Sequence, residues 1–155
     1  MHNSLSNGRQ AKIVSFDEIS SIVKKYKEAG KKIVHCHGTF DLIHPGHIVH
    51  FEESKQFGDK LIITVTGERF VNKGPRRPYF NDELRVRSLT ALESIDHVVI
   101  VPYPAAVEAI EAVQPDVYCK GKEYENTDDD VTGNMKDDII TVNSIGGVVR
   151  YVGSV

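Results

Sequence analysis

Gly38-Thr-Phe-Asp-Leu-Ile-His44-Pro45-Gly46-His47 is the stretch from which the rest of the chain can be read. Before it runs Lys32-Ile-Val-His-Cys-His37, an apolar segment that reads as a buried strand. After it comes Ile48-Val-His-Phe-Glu-Glu-Ser-Lys55, which reads as a helix. Two imidazoles, His44 and His47, therefore fall where a strand gives way to a helix. A helix N-terminus carries unpaired N–H groups and the positive end of the dipole, so it suits phosphate. Pro45 fits the first turn, where its missing N–H costs nothing. Gly46 lets a ligand come close to the backbone. Residues three apart share a helix face, so both rings can project toward one charged phosphorus centre.

The pattern alternates on both sides of this turn. Ser15-Phe-Asp-Glu18 has capping-box spacing, and Phe16, Ile19, Ile22, Val23 and Tyr26 keep helical periodicity to a stop at Gly30. The first strand covers about 32–37 and the helix after it ends near 57. Lys60–Thr66 is a second strand, followed by a Gly/Pro/Arg-rich loop from Gly67 to Phe80. Asn81 can cap a helix containing Leu84, Leu89, Leu92 and Ile95. His97–Val101 is a third strand, Pro104 opens a helix through Val113, and Val117–Lys120 is a fourth strand. A helix near 135–144 and a strand at 147–152 complete the chain. Strands alternating with helices predict an α/β fold, with a parallel sheet covered on both faces. Right-handed crossovers then bring segments 38–47, 66–80 and 120–124 to one edge, where open α/β sheets bind ligands.

A chain of 155 residues fits one domain. We expect a flexible polar tail over 1–11 and the folded domain over 12–155. The net charge of −3 gives no argument for nucleic acid or an anionic membrane as partner. No apolar run approaches a membrane span. Cys36 and Cys119 are too few for a disulfide framework and read as buried thiols of a reducing cytoplasm. His35 and His37 point to one face of their strand. His37, at its end, is a candidate ligand contact, while His35 and His50 read as packing or solvent residues. Asp41 reads equally as a turn-forming carboxylate or as a group that places acceptor or metal. The run Asp128–Gly133 fails as a calcium loop, because Ile139 and Lys136 stand where ligands are needed. No metal-ligand cluster is expected.

The GTFDLIHPGH string resembles the His-x-Gly-His nucleotidylyltransferases. The likeness continues through Phe51–Asp59, Asn72-Lys73-Gly74-Pro-Arg76-Arg77-Pro78, Leu84-Arg85 and Pro115–Tyr124. It implies a Rossmann-like doubly wound parallel sheet of about five strands. It also implies transfer of a nucleoside monophosphate from a triphosphate to a phosphorylated acceptor. On that basis His44, His47, Lys55 and Arg85 are the expected catalytic residues. Gly38, Thr39, Phe40, Gly46, Lys73, Lys120, Gly121 and Glu123 would bind the nucleotide and its phosphates. Asp41, His37 and Arg77 would meet the acceptor, and Mg²⁺ would arrive mainly on the triphosphate. Arg87 points away from Arg85 and serves as its control.

The features look most like the adenylyltransferase domain of bifunctional ADP-heptose synthases, and next like glycerol-phosphate cytidylyltransferases. The expected partners are thus ATP, or alternatively CTP, and a sugar or polyol phosphate. Lys122 and Glu123 depart from both patterns. Members usually carry a Ser/Thr-rich phosphate segment after the fifth strand, whereas this sequence ends at Gly153-Ser-Val155. That departure keeps a non-catalytic nucleotide-binding domain as the rival reading. The resemblance also implies a homodimer and allows a longer chain with a sugar kinase domain.

Overall fold

A computed structural model describes residues 5–125 and 134–153. The Asp128–Gly133 run lies outside them. The helices are α1 (Asn7–Lys12), α2 (Phe16–Glu28), α3 (Pro45–Lys55), α4 (Asp82–Thr90), α5 (Val107–Val113) and α6 (Asn134–Ser144). The strands are β1 (Ile33–Gly38), β2 (Lys60–Thr66), β3 (His97–Val101), β4 (Val117–Gly121) and β5 (Val148–Val152). Short 3₁₀ turns occupy Glu68–Phe70 and Lys122–Tyr124. The five strands form one sheet in the order β3-β2-β1-β4-β5, parallel throughout. This is the doubly wound α/β architecture expected from the alternation.

Period-two alternation sorts the core. Val34, Cys36, Leu61, Ile63, Val65 and Val98 face α3 and α4, where Phe51, Val86 and Leu89 meet them. Ile33, Ile62 and Val99 face the opposite way, toward Ile19 and Val23 of α2 and Val113 of α5. On that same side α6 adds Met135 and Val142 against Tyr118 and Ile110. Phe51 is fully buried, and truncating it to Ala would cost about 3–5 kcal/mol.

The chain order reverses between β1 and β4, the position where doubly wound sheets open a crevice. The opening is visible in the register. The β1–β4 pairing covers only Val34↔Val117 and His35↔Tyr118. Past that point the strands part, and the Lys120 ammonium donates to the His37 carbonyl at 3.0 Å in place of a ladder bond.

Two local expectations change. The tail expected over 1–11 is helical from Asn7, capped by Ser6 and docked. Arg9 donates to Thr90 Oγ1 and the Arg87 carbonyl, and Lys12 to the Leu92 carbonyl. Basic side chains there satisfy carbonyls at the C-terminal end of α4, where the dipole favours cations. The helix expected from Pro104 begins at Val107, with no side chain capping its N-terminus. Among the described residues no helix is long and apolar enough to cross a membrane.

Candidate active site

His44 is the N-cap of α3, and its Nδ1 accepts from the Gly46 N–H at 3.0 Å. His47, at the third helical position, accepts on Nδ1 from the His44 N–H at 3.3 Å. Imidazoles here take the parts usually played by Ser and Glu in a capping box. The arrangement determines the tautomer. A ring nitrogen that accepts carries no proton, so each neutral ring bears its proton on Nε2. The helix backbone thus orients two N–H donors, on rings whose centroids are 4.0 Å apart. Burial, with His44 beside it, holds the His47 pKa below the ordinary histidine value. Gly46 is needed for packing: a Cβ there would lie 2.8 Å from His44 Cε1.

The turn before the helix is held from beneath. Phe40 adopts a left-handed φ of 49°, which is strained for a bulky residue. Its ring lies over Gly38, where a Cβ would sit 2.9 Å from Cζ, and packs edge-on against Phe51 and His47. Arg85 is fully buried. Its Nη1 donates to the carbonyls of Thr39 (3.0 Å) and Thr66 (2.8 Å). Nε donates to Phe80 O and Nη2 to Asp82. Arg85 is therefore not the ligand-facing group expected from the sequence. It ties the ends of β1 and β2 to the start of α4, so it is a positioning residue.

Asp41 resolves to its structural alternative. Its carboxylate accepts from the Tyr79 and Phe80 N–H groups and from Arg77 Nε. Burial alone would raise the Asp41 pKa, but those two N–H groups and the guanidinium outweigh it and hold the carboxyl below its usual range. Asp41 and Arg77 together clasp the 76–80 loop to the motif while both still line the cleft.

The cleft above has a volume of about 490 Å³. The end of β1 and the histidine turn line it with His37, Gly38, Thr39, Phe40, His44, Gly46 and His47; the end of β4 and the turn after it add Lys120, Gly121 and Glu123, and the basic loop adds Lys73 and Arg77. Of the fifteen residues expected at the site, only Lys55 and Arg85 are not among its lining. Leu42, His50, Cys119 and Tyr124 also line the cleft and were not among the expected site residues, although Leu42 and Tyr124 fall in the segments 38–47 and 120–124 expected at this edge. The signal for His50 was available: it stands one turn beyond His47 on the same helix face.

Two of the cleft histidines, His37 and His50, are neutral at pH 7. Burial, with Lys120 nearby, pushes His37 down to about 3 and His50 to about 4. The His37 ring sits between Thr64 Oγ1 (2.8 Å) and Thr66 Oγ1 (3.3 Å). Burial likewise lowers the Lys120 pKa.

Lys55 is a second correction. It pairs with Asp96, whose Oδ2 also accepts from the Leu61 N–H. The reason is reach. Eight helical residues separate it from His47, about 12 Å along the axis, so it lies at the far end of α3. Among the described residues no three His, Cys, Asp or Glu side chains group to hold a metal.

Residues 35–152 match the cytidylyltransferase-like family, a span that includes the strand, the histidine turn and the Lys120 strand end. The chain belongs to the cytidylyltransferase-like family. It is 42% identical to the bifunctional protein HldE of Sulfurimonas denitrificans over 81% of its own length, which is 26% of that protein. It is 35% identical to the HldE of Methylobacillus flagellatus over 91% of its length, 28% of that protein. The chain thus spans under a third of the curated relatives it matches. Among solved structures, a lipopolysaccharide core biosynthesis protein of Thermoplasma volcanium superposes with a TM-score of 0.63 at 25% identity. That match covers 81% of this chain and 98% of the other. A pantoate-beta-alanine ligase of Francisella tularensis gives 0.63 at 14% identity, covering 91% and 66%, and shares the fold.

Proposed function

We propose that this cytidylyltransferase-like chain transfers a nucleoside monophosphate, from ATP by preference, to a sugar phosphate, yielding an NDP-sugar and pyrophosphate. The observation that carries this reading is the His44–His47 pair, with both Nε2–H donors set by the backbone of a helix N-terminus at a cleft. A phosphate oxygen of the acceptor attacks the α-phosphorus. The bond from that phosphorus to the bridging oxygen breaks, and its electron pair leaves with pyrophosphate. No protein nucleophile is required, so catalysis rests on positioning and on stabilising charge. The two imidazoles donate to the phosphate oxygens as charge builds on them, and the α3 dipole adds to the same field. Lys73 supplies a cation from the loop.

Mg²⁺ fits this reading as a passenger on the triphosphate. Both Asp41 oxygens are taken by N–H groups, which leaves Glu123 as the cleft carboxylate available to it. Bound there, the ion would neutralise phosphate charge. The family match and the HldE relatives support nucleotidyl transfer to a sugar phosphate, and the choice of ATP over CTP rests on the sequence's resemblance to the adenylyltransferase domain of ADP-heptose synthases. The two cysteines are free thiols, in keeping with a reducing cytoplasm.

Pyrophosphate release, measured with four nucleoside triphosphates against a panel of sugar and polyol phosphates, tests the proposal. Release that needs both a triphosphate and a sugar phosphate, largest with ATP, is the expected result. Greatest release with CTP and glycerol phosphate would move the chain to the cytidylyltransferase alternative. Nucleotide binding without release in any combination would overturn catalysis and leave a binding domain.

A further inference from the structure

Beyond His47 the same helix presents a third imidazole to the cleft. His50 lies one turn further along α3, about 4.5 Å in rise, and its ring lines the pocket. One side packs edge-on against Phe51, with centroids 5.6 Å apart. Its charged and titratable neighbours are Lys120, His47 and Glu123. Among the described residues neither of its ring nitrogens has a hydrogen-bond partner, whereas at least one nitrogen of His35, His37, His44, His47 and His97 does.

We propose that His50 is a specificity-determining residue that hydrogen-bonds the ribose hydroxyls of the nucleotide donor. The inference rests on the nucleotidyl-transfer reading, because it takes the His44–His47 end of the cleft as the phosphate end. The group joined to the α-phosphate is the sugar, so one turn past His47 the helix faces sugar. Lys120, Glu123 and Tyr124 line the same cleft. A neutral imidazole offers one donor and one acceptor, which matches hydroxyls that both give and take a proton. The low pKa of His50 keeps it in that form at pH 7.

The experiment measures binding of ATP, 2′-deoxy-ATP and 3′-deoxy-ATP by calorimetry to the wild-type chain, His50→Phe and His50→Gln. Phenylalanine keeps the ring and loses both nitrogens. Glutamine retains a donor and an acceptor. The wild type should prefer the ribonucleotide over at least one deoxy analogue by about tenfold, the scale of one neutral hydrogen bond. His50→Phe should bring that ratio to near one by weakening ATP alone, and His50→Gln should recover most of it. An unchanged ratio in His50→Phe overturns the proposal. A wild type that binds nucleotide but releases no pyrophosphate sinks the proposed activity while the ribose ratios still decide the role of His50. A wild type that binds no nucleotide ends both.

Discussion

At the start of the strands aspartates close onto backbone N–H groups; at the strand ends imidazoles do the same and keep a second nitrogen for the cleft. Asp59 accepts from Lys32, Asp96 from Leu61 and Asp116 from Ile33, each through Oδ2 at 2.7–2.8 Å. Those bonds satisfy donors at the beginnings of β1 and β2, and Lys55 adds its charge to Asp96. At the other edge His44 and His47 also accept from backbone N–H groups. An imidazole has a second nitrogen on the far side of the ring, and the same bond that caps the helix decides which nitrogen keeps the proton. One edge therefore uses side chain–backbone bonds to close the sheet. The other uses them to aim donors at a ligand.

The largest test of that contrast removes an aimed donor. His44→Ala and His47→Ala should each lower turnover about 100- to 1000-fold, by analogy with loss of an oxyanion-hole donor. The thermal midpoint should shift little, since loss of an N-cap costs roughly 1 kcal/mol. Gly46→Ala sharpens the point: both imidazoles remain, but the new Cβ would press into the His44 ring. Turnover should fall there too. Pyrophosphate release at matched folded concentration checks all three, and a folded His44→Ala chain with wild-type turnover would break the assignment.

Arg85 separates a charge that touches ligand from one that holds the frame. Arg85→Ala should destabilise the fold by on the order of 3 kcal/mol, because the carbonyls of Thr39, Thr66 and Phe80 lose a charged donor. Arg85→Lys should rescue little, since one ammonium cannot span the fork. Urea denaturation measures this directly. A stable Arg85→Ala chain with a selective loss of turnover would restore the ligand-facing role that the sequence suggested.

Much of the fold was open to reading because it rests on periods and punctuation. The apolar run of β2, the Asn81 cap and the Ser15 capping box each report a local physical requirement. The histidine turn was readable for the same reason, since its Pro, Gly and His spacing is a statement about a helix start. What escaped depends on partners far away in sequence. Arg85 is buried because its carbonyl partners come from three other segments, and nothing within α4 announces them. Asp41 gave no hint that its two oxygens would be taken by the 79–80 backbone. Lys55 failed on distance: eight residues is a short step in sequence and about 12 Å along a helix.

Acid should expose the cleft before neutral or basic pH does. His37 and His50 have folded pKa values of about 3 and about 4, below the usual value near 6.5 for an unfolded chain. Between those values the unfolded state binds more protons, so stability falls as pH drops from about 6.5 toward 4. Above 6.5 both states carry neutral rings and this contribution is complete. Thermal midpoints from pH 7 down to 4.5 should show the slope, and His50→Phe should flatten part of it. An equal slope in that variant would remove His50 from the explanation.

The smallest expected effect tests the opposite edge. Lys55→Ala should leave turnover within about twofold of wild type, because the ammonium sits by Asp96 rather than in the cleft. Its stability cost should be at most about 1 kcal/mol, the range of a partly exposed ion pair. Asp96→Ala should cost more than Lys55→Ala, since Asp96 also accepts from the Leu61 N–H at the start of β2. The ordering matters more than either value. If Lys55→Ala lost turnover at unchanged stability, the lysine would have to leave Asp96 and reach the phosphates during the reaction. The two edges of the sheet would then be coupled through α3, and the division of labour between them would fail.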